Sequence, residues 1–267
     1  KLTLPFCTQE YMYNGQGYYR NFPENIQIVM TGGRVWGEVT NDFTATFTNN
    51  VGRGPYMWIN WPCTDNSKKH LIMGGYTTFL HPGVDPNKIQ GIVLNPMQQS
   101  EPSKVAIFGN ACYSWNIWQS EEEAQRCWNA SFKYVDHNSA LETKASAALR
   151  ELSKHMINQN MDDRVTALQE SVDLKDHLAS FKAAISNGTT ISDEQFKDLI
   201  NEFTILKNAS TTYREQAGDS RVKDHIVYWL NCWDDTTDAA INYIKAIKAA
   251  QDGDANDKIW DLYAAGQ

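Results

Sequence analysis

All eight prolines of this chain fall before residue 103, and twelve of its sixteen glycines are spent by Gly109. Proline fixes φ and removes a backbone donor, and glycine costs about 1 kcal/mol in a helix interior. A chain with breakers confined to one end therefore folds by two grammars: short elements joined by turns first, long helices afterwards. The change falls near Asp136-His137-Asn138-Ser139, which divides the chain into residues 1–136 and 137–267. Charge changes at the same place. Residues 1–136 carry 10 Lys and Arg against 11 Asp and Glu; residues 137–267 carry 14 against 21.

In the first part four short apolar runs recur: Leu2 to Phe6, Ile26 to Met30, Tyr56 to Trp61 and Ile89 to Leu94. Each is β-branched or aromatic and bounded by Gly, Pro or Asn, the pattern of buried strands. Amphipathic segments alternate with them, notably Asp42 to Asn49 and Ser100 to Tyr113. The strand starts are 24 to 33 residues apart. A βα unit of an eight-fold barrel takes about 31 residues, so four such units fill residues 1–136. An open, flavodoxin-like sheet has the same periodicity and stays open as an alternative.

The second part predicts a helical bundle. Apolar residues step by three and four through Leu141, Ala145, Ala148, Leu152 and Met156. Further stripes run through Val165, Leu168 and Val172, then Leu178, Phe181 and Ile185, and through Phe196 to Leu206. A last one opens at Val222, Ile226, Trp229, Leu230 and Trp233 and continues through Ile241, Ile244 and Ile247. Ser192-Asp193-Glu194-Gln195 predicts a capping box, and Asn187-Gly188 and Ala217-Gly218 predict helix ends. Short connectors imply antiparallel neighbours.

The formal charge of −8 argues against nucleic acid as a partner. No run of about 20 apolar residues is present, so no membrane span is expected. The segment from Lys1 to Cys7 is too short and too broken to be a signal peptide and reads as the interior of a longer chain. Five cysteines without a CxxC, and six histidines without ligand spacing, predict buried free thiols, no metal site and no cofactor.

In a (β/α)8 barrel the working residues stand where strands end. Here those places hold Gln9-Glu10-Tyr11, Thr31-Gly32-Gly33 with Trp36, Trp58-Ile59-Asn60-Trp61-Pro62-Cys63-Thr64-Asp65, and Asn95-Pro96-Met97. An aromatic ring offers a flat apolar face to sugar C–H groups, and Asn and Asp answer hydroxyls at fixed positions. Taken singly, Trp58 or Trp61 is as well explained as a core residue, and a strand-end Asn as a turn residue. All four strand ends together favour a sugar site.

Glu10-Tyr11, Met30-Thr31-Gly32, Trp58 to Pro62 with Asp65, and Asn95-Pro96-Met97 followed by Tyr113-Ser114-Trp115-Asn116 resemble glycoside hydrolase family 84. These are β-N-acetylglucosaminidases, clostridial "hyaluronidase" mu-toxins and protein O-GlcNAcases. The match runs through about residues 1–135, in the order of the second half of that barrel. Residues 137–267 resemble the helical domain that follows it. The resemblance implies removal of a terminal β-linked N-acetylglucosamine with retention, the sugar's own acetamido oxygen attacking the anomeric carbon to form an oxazoline. It implies that Tyr11 hydrogen-bonds that oxygen and that Trp58 walls the acetamido methyl pocket. Asn60 would orient the acetamido group or the catalytic acid, Asp65 would accept from O4 and O6, and Asn95 would bind a ring hydroxyl. Ile59 replaces a second aromatic and is expected to face away from the sugar. A secreted or cell-surface location, a glycan or glycoprotein partner and an upstream half of the same barrel are further implications.

The adjacent aspartates that serve the family as polarising group and general acid/base belong one strand upstream. Asp162-Asp163 and Asp234-Asp235 both lie in the helical part, where a helix start and a solvated helix face explain them. Residues 1–267 alone are therefore expected to be inactive. The alternatives are a non-catalytic carbohydrate-binding protein and a helical interaction protein.

Overall fold

The computed structural model describes residues 2–5, 17–65, 67–157 and 171–267. Four parallel strands form one sheet: β1 (Leu2–Pro5), β2 (Ile26–Met30), β3 (Tyr56–Ile59) and β4 (Gly91–Leu94). Their spatial order is β1-β2-β3-β4. A doubly wound sheet needs a point where strand order reverses; none occurs among these four. The order is that of a singly wound barrel, and it decides between the two α/β readings.

Helices separate the strands. These are α1 (Gly17–Arg20), α2 (Asn41–Val51) and α3 (Tyr76–Phe79), the last followed by a 3-10 turn at Pro86–Lys88. Helices α4 (Ser100–Trp115) and α5 (Glu121–His137) come after β4. Thr40 caps α2, its Oγ1 accepting from Phe43 N at 3.1 Å. Gly52 ends it at φ 82°, a left-handed conformation that favours glycine.

Register shows which side of the sheet is covered. Val29 aligns with Tyr56 and Met30 with Met57, and β3 aligns with β4 from Tyr56–Gly91 to Ile59–Leu94. Ile28, Met30, Met57 and Ile59 share one face and are fully buried. Tyr56 and Trp58 point to the other face, which is less covered: Trp58 is half-buried and Val93 is 43% exposed. Gly91 is required on that face, because a Cβ there would lie 2.4 Å from the Tyr56 ring. Ile59 and Trp58 point to opposite faces of the sheet.

The chain divides into two compact units, and the division falls inside α5, between Ser131 and Phe132. The first unit regains the chain at Met156, whose carbonyl accepts from Met73 N at 2.7 Å. The second unit is helical: α6 (Lys144–Ser153), α7 (Val172–Ser186), α8 (Asp193–Gln216), α9 (Ser220–His225), α10 (Val227–Asp252) and α11 (Asn256–Ala265). Leu174, Phe181, Ile191, Leu199, Phe203, Leu206 and Ile244 form its core. The Ser192 capping box is present, with Gln195 N to Ser192 Oγ at 3.1 Å and Ser192 N to Gln195 Oε1 at 3.1 Å.

Several helical expectations are corrected. The stripe from Val222 to Ile247 is not one helix. Ile226 leaves the helical conformation at φ −108°, ψ 8°, and divides α9 from α10. Leu141 precedes α6 and is 75% exposed, so it carries no apolar face. On α7, Leu178 and Ile185 are partly exposed while Leu174 and Phe181 are buried. Val165, Leu168 and Asp162-Asp163 lie outside the described residues. Only one of the described cysteines is buried: Cys63 is, Cys112 and Cys127 are half-buried, and Cys232 is exposed. None of the described helices is long and apolar enough to cross a membrane.

Candidate functional site

The C-terminal ends of β3 and β4 carry a hydrogen-bonded trio. Asn60, 9% exposed, follows β3 directly. Its Oδ1 accepts from Trp58 Nε1 at 2.9 Å and from Asn95 Nδ2 at 3.1 Å. Its Nδ2 donates to Val35 O at 2.7 Å. Asn95 N in turn donates to Ile59 O at 2.9 Å, extending the β3–β4 pairing by one residue. One amide thus gathers a strand-end tryptophan, a residue from the next strand and the loop after β2. A carbonyl oxygen has two lone pairs; both are used, which fixes the Asn60 amide and with it the Trp58 indole. Among the described residues nothing hydrogen-bonds Asn95 Oδ1.

The loop from Thr31 to Val39 is folded tightly on itself. Thr31 Oγ1 donates to Arg34 O at 2.6 Å. A Cβ at Gly37 would lie 1.8 Å from Thr31 O, so only glycine permits that approach. Arg34 pairs with one oxygen of Glu38, and His81 Nε2 lies 2.8 Å from the other. Val39 N donates to Phe79 O and His81 N to Val39 O, tying the loop to the end of α3. Val35, whose carbonyl holds Asn60, keeps its side chain 60% exposed.

Asp65 lies five residues past Asn60 and is exposed. Ser67 N donates to Thr64 O at 2.9 Å, closing a turn that contains Asp65. Burial raises the pKa of the neighbouring Cys63 thiol. The Asp65 backbone N–H opposes that rise, and the Asp65 carboxyl, within hydrogen-bonding reach of the thiol, adds to it. The segment leading to Asp65 is held by aromatic packing. Trp61, 1% exposed, stacks on Phe79 (centroids 5.8 Å apart, 19° between planes) and meets Tyr76 edge-on. Tyr76 stacks on Trp118, which meets Tyr113 edge-on. The Trp61–Pro62 peptide is cis. The two tryptophans therefore divide: Trp61 is core, and Trp58 stands half-buried on the less covered face of the sheet.

The structure brings Trp58, Asn60 and Asn95 into direct contact. No hydrogen bond joins Asp65 to them among the described residues, and Tyr11 lies outside those residues. The Val35 carbonyl was not foreseeable from residue type, because a backbone acceptor leaves no mark in sequence; the Arg34–Glu38–His81 chain was not, because Glu38 and His81 are far apart in sequence and meet only in the fold. Asp234, on α10, lies 2.8 Å from Arg214 in an ion pair, and Asp235 beside it is exposed; both belong to a helix of the second unit, not to a strand. Among the described residues no group of three or more His, Cys, Asp or Glu is placed to hold a metal ion.

Comparison with known proteins places this geometry. The NAGidase (β-N-acetylglucosaminidase) family model matches residues 1–154. The solved structure of CpGH84D superposes with a TM-score of 0.85 at 27% identity, covering 99% of this chain and 43% of that one. CpGH84B matches at 18% identity with a TM-score of 0.77, covering 99% and 46%. A point mutant of the O-GlcNAc hydrolase of Thermobaculum terrenum matches at 17% identity and 0.73, covering 99% and 53%. The chain thus spans about half the length of the solved structures it resembles. Its four-stranded sheet and helices correspond to part of a family 84 barrel and the helical domain that follows. With the family model covering more than half of its residues, the chain belongs to the β-N-acetylglucosaminidase family, glycoside hydrolase family 84.

Proposed function

We propose that this chain supplies the sugar-holding part of an enzyme that removes terminal β-linked N-acetylglucosamine by substrate-assisted, retaining hydrolysis. The observation that carries the reading is the Asn60 amide. It fixes an indole and a second amide together at the ends of two adjacent strands, the place where barrel enzymes bind substrate. Trp58 walls the acetamido group, Asn60 sets its orientation, Asn95 Oδ1 receives a ring hydroxyl, and the exposed Asp65 carboxylate accepts from O4 and O6. Tyr11 hydrogen-bonds the acetamido oxygen as it attacks. Because the substrate provides its own nucleophile, the protein needs no nucleophilic carboxylate, only a polarising group and an acid/base.

Those two carboxylates come from a further segment that completes the barrel. That segment pairs with the sheet's two edge strands, β1 and β4, and so encloses its less covered face. A separate cleft of about 250 Å³ lies at the start of β4, lined by Gly91, Ile92, Trp115 and Asn116, and Trp115 is 92% exposed. The partner on the other side is a glycan or glycoprotein bearing N-acetylglucosamine.

The test is hydrolysis of an aryl N-acetyl-β-glucosaminide by the protein with its barrel complete. Asp65→Ala removes two charge-assisted hydrogen bonds of roughly 1.5–3 kcal/mol each. We expect kcat/KM to fall about 10²- to 10⁴-fold. Equal rates for wild type and Asp65→Ala overturn the assignment. Tight binding of N-acetylglucosamine with no turnover selects the non-catalytic carbohydrate-binding reading instead.

A further inference from the structure

We propose that Cys112 and Cys127 form a dithiol site that closes to an intramolecular disulfide fastening α4 to α5. The geometry rests on Tyr76. Its buried ring wedges against α4 at Gly109, where a Cβ would lie 2.4 Å from the ring, and its hydroxyl donates to Val105 O of the same helix. On the other side Tyr76 meets the Ser131 hydroxyl of α5. Cys112 is three residues from Gly109 and Cys127 four residues from Ser131, so each thiol lies on the helix face that meets Tyr76. Both thiols act electrostatically on Tyr76, and they lie within hydrogen-bonding reach of each other. Cys63 and Cys232, by contrast, find Asp65 and Thr236 as partners.

Both cysteines are half-buried rather than sealed in the core. Burial, and then the Cys112 thiol, push the Cys127 pKa up. The oxidant is a small-molecule disulfide. The thiolate of one of the two cysteines attacks one of its sulfurs, forming a mixed disulfide and releasing one small thiol. The other cysteine then gives up its proton and attacks the sulfur of the first, releasing the second small thiol. Two protein thiols become one disulfide, and one small disulfide becomes two thiols.

The experiment incubates the chain with oxidised glutathione at mildly alkaline pH, quenches with acid and counts thiols after denaturation. We expect five thiols to become three, with no glutathione retained. Trypsin cleaves after Lys104, Arg126 and Lys133, so peptides 105–126 and 127–133 should be recovered joined until reduction. The loop closed is short, about 15 residues, and the oxidised chain should melt about 6–12 °C higher. Cys112→Ser and Cys127→Ser should each abolish both the joined peptides and the thermal shift. Five persistent thiols overturn the proposal. So do glutathione held on both cysteines, a bridge to Cys7, Cys63 or Cys232, or an oxidised form that melts lower.

Discussion

Replacing Asn60 by alanine is the most informative single perturbation of the first unit. The side chain makes three hydrogen bonds: one accepted from Trp58, one accepted from Asn95 and one donated to Val35 O. Each is worth about 0.5–1.5 kcal/mol net. Asn60 is 9% exposed, so water does not readily replace the lost amide, whereas half-buried Trp58 and Asn95 recover part of their bonding from solvent. The sum is about 3 kcal/mol, equivalent to a drop in melting temperature of roughly 6–12 °C. Asn95→Ala loses a single hydrogen bond at a half-buried position and should cost under about 1 kcal/mol. Urea denaturation of the two single variants and the double variant measures this directly. The double-mutant cycle should return a coupling of about 1 kcal/mol, with unchanged denaturant slopes. An Asn60→Ala variant no less stable than Asn95→Ala, or a coupling near zero, refutes the view that one amide holds the two strand ends together.

Three further outcomes follow from the packing. Arg53 donates from Nη1 to Pro23 O and Ile26 O and from Nη2 to Phe22 O; Arg53→Lys loses the fork, and thermal melts should show most of the roughly 2 kcal/mol cost of Arg53→Ala. Asp136 has no exposed side-chain surface, pairs with His137 and accepts from Gly218 N; Asp136→Ala should cost about 3 kcal/mol in chemical denaturation of the helical unit. Burial lowers the pKa of His155, beside Trp233. The unfolded chain then binds a proton that the folded chain refuses, so stability is complete above about pH 6.5 and declines as pH falls below it. Melts at pH 7.5 and 5.5 should show a smaller acid loss in His155→Gln than in wild type.

The parts of the fold written in side chains were legible, and those written in backbone geometry were not. Four β-branched runs marked the strands because a buried parallel strand needs apolar residues on both faces, and β2 is indeed buried throughout. The Ser192 box marked the start of α8 because its two side chains satisfy backbone donors at fixed spacing. Ile226 carries no breaker signal, so the division of α9 from α10 could not be read from composition. Trp58 and Trp61 have the same residue type and opposite fates. Strand alternation places Trp58 on the less covered face; the packing of Trp61 against Phe79 and Tyr76 depends on contacts 15 to 18 residues away. Cys112 and Cys127 are an unremarkable pair in sequence, and only the wedge at Tyr76 shows their faces meeting.

We have proposed that these residues hold the sugar while a further part of the barrel supplies the chemistry. Aryl N-acetyl-β-glucosaminide turnover, measured for residues 1–267 alone and for the same residues joined to a complete barrel, decides it. We expect no release of the aryl group by residues 1–267, and hydrolysis by the complete barrel that falls about 10²- to 10⁴-fold with Asp65→Ala. Turnover by residues 1–267 alone, or a complete barrel indifferent to Asp65, contradicts it.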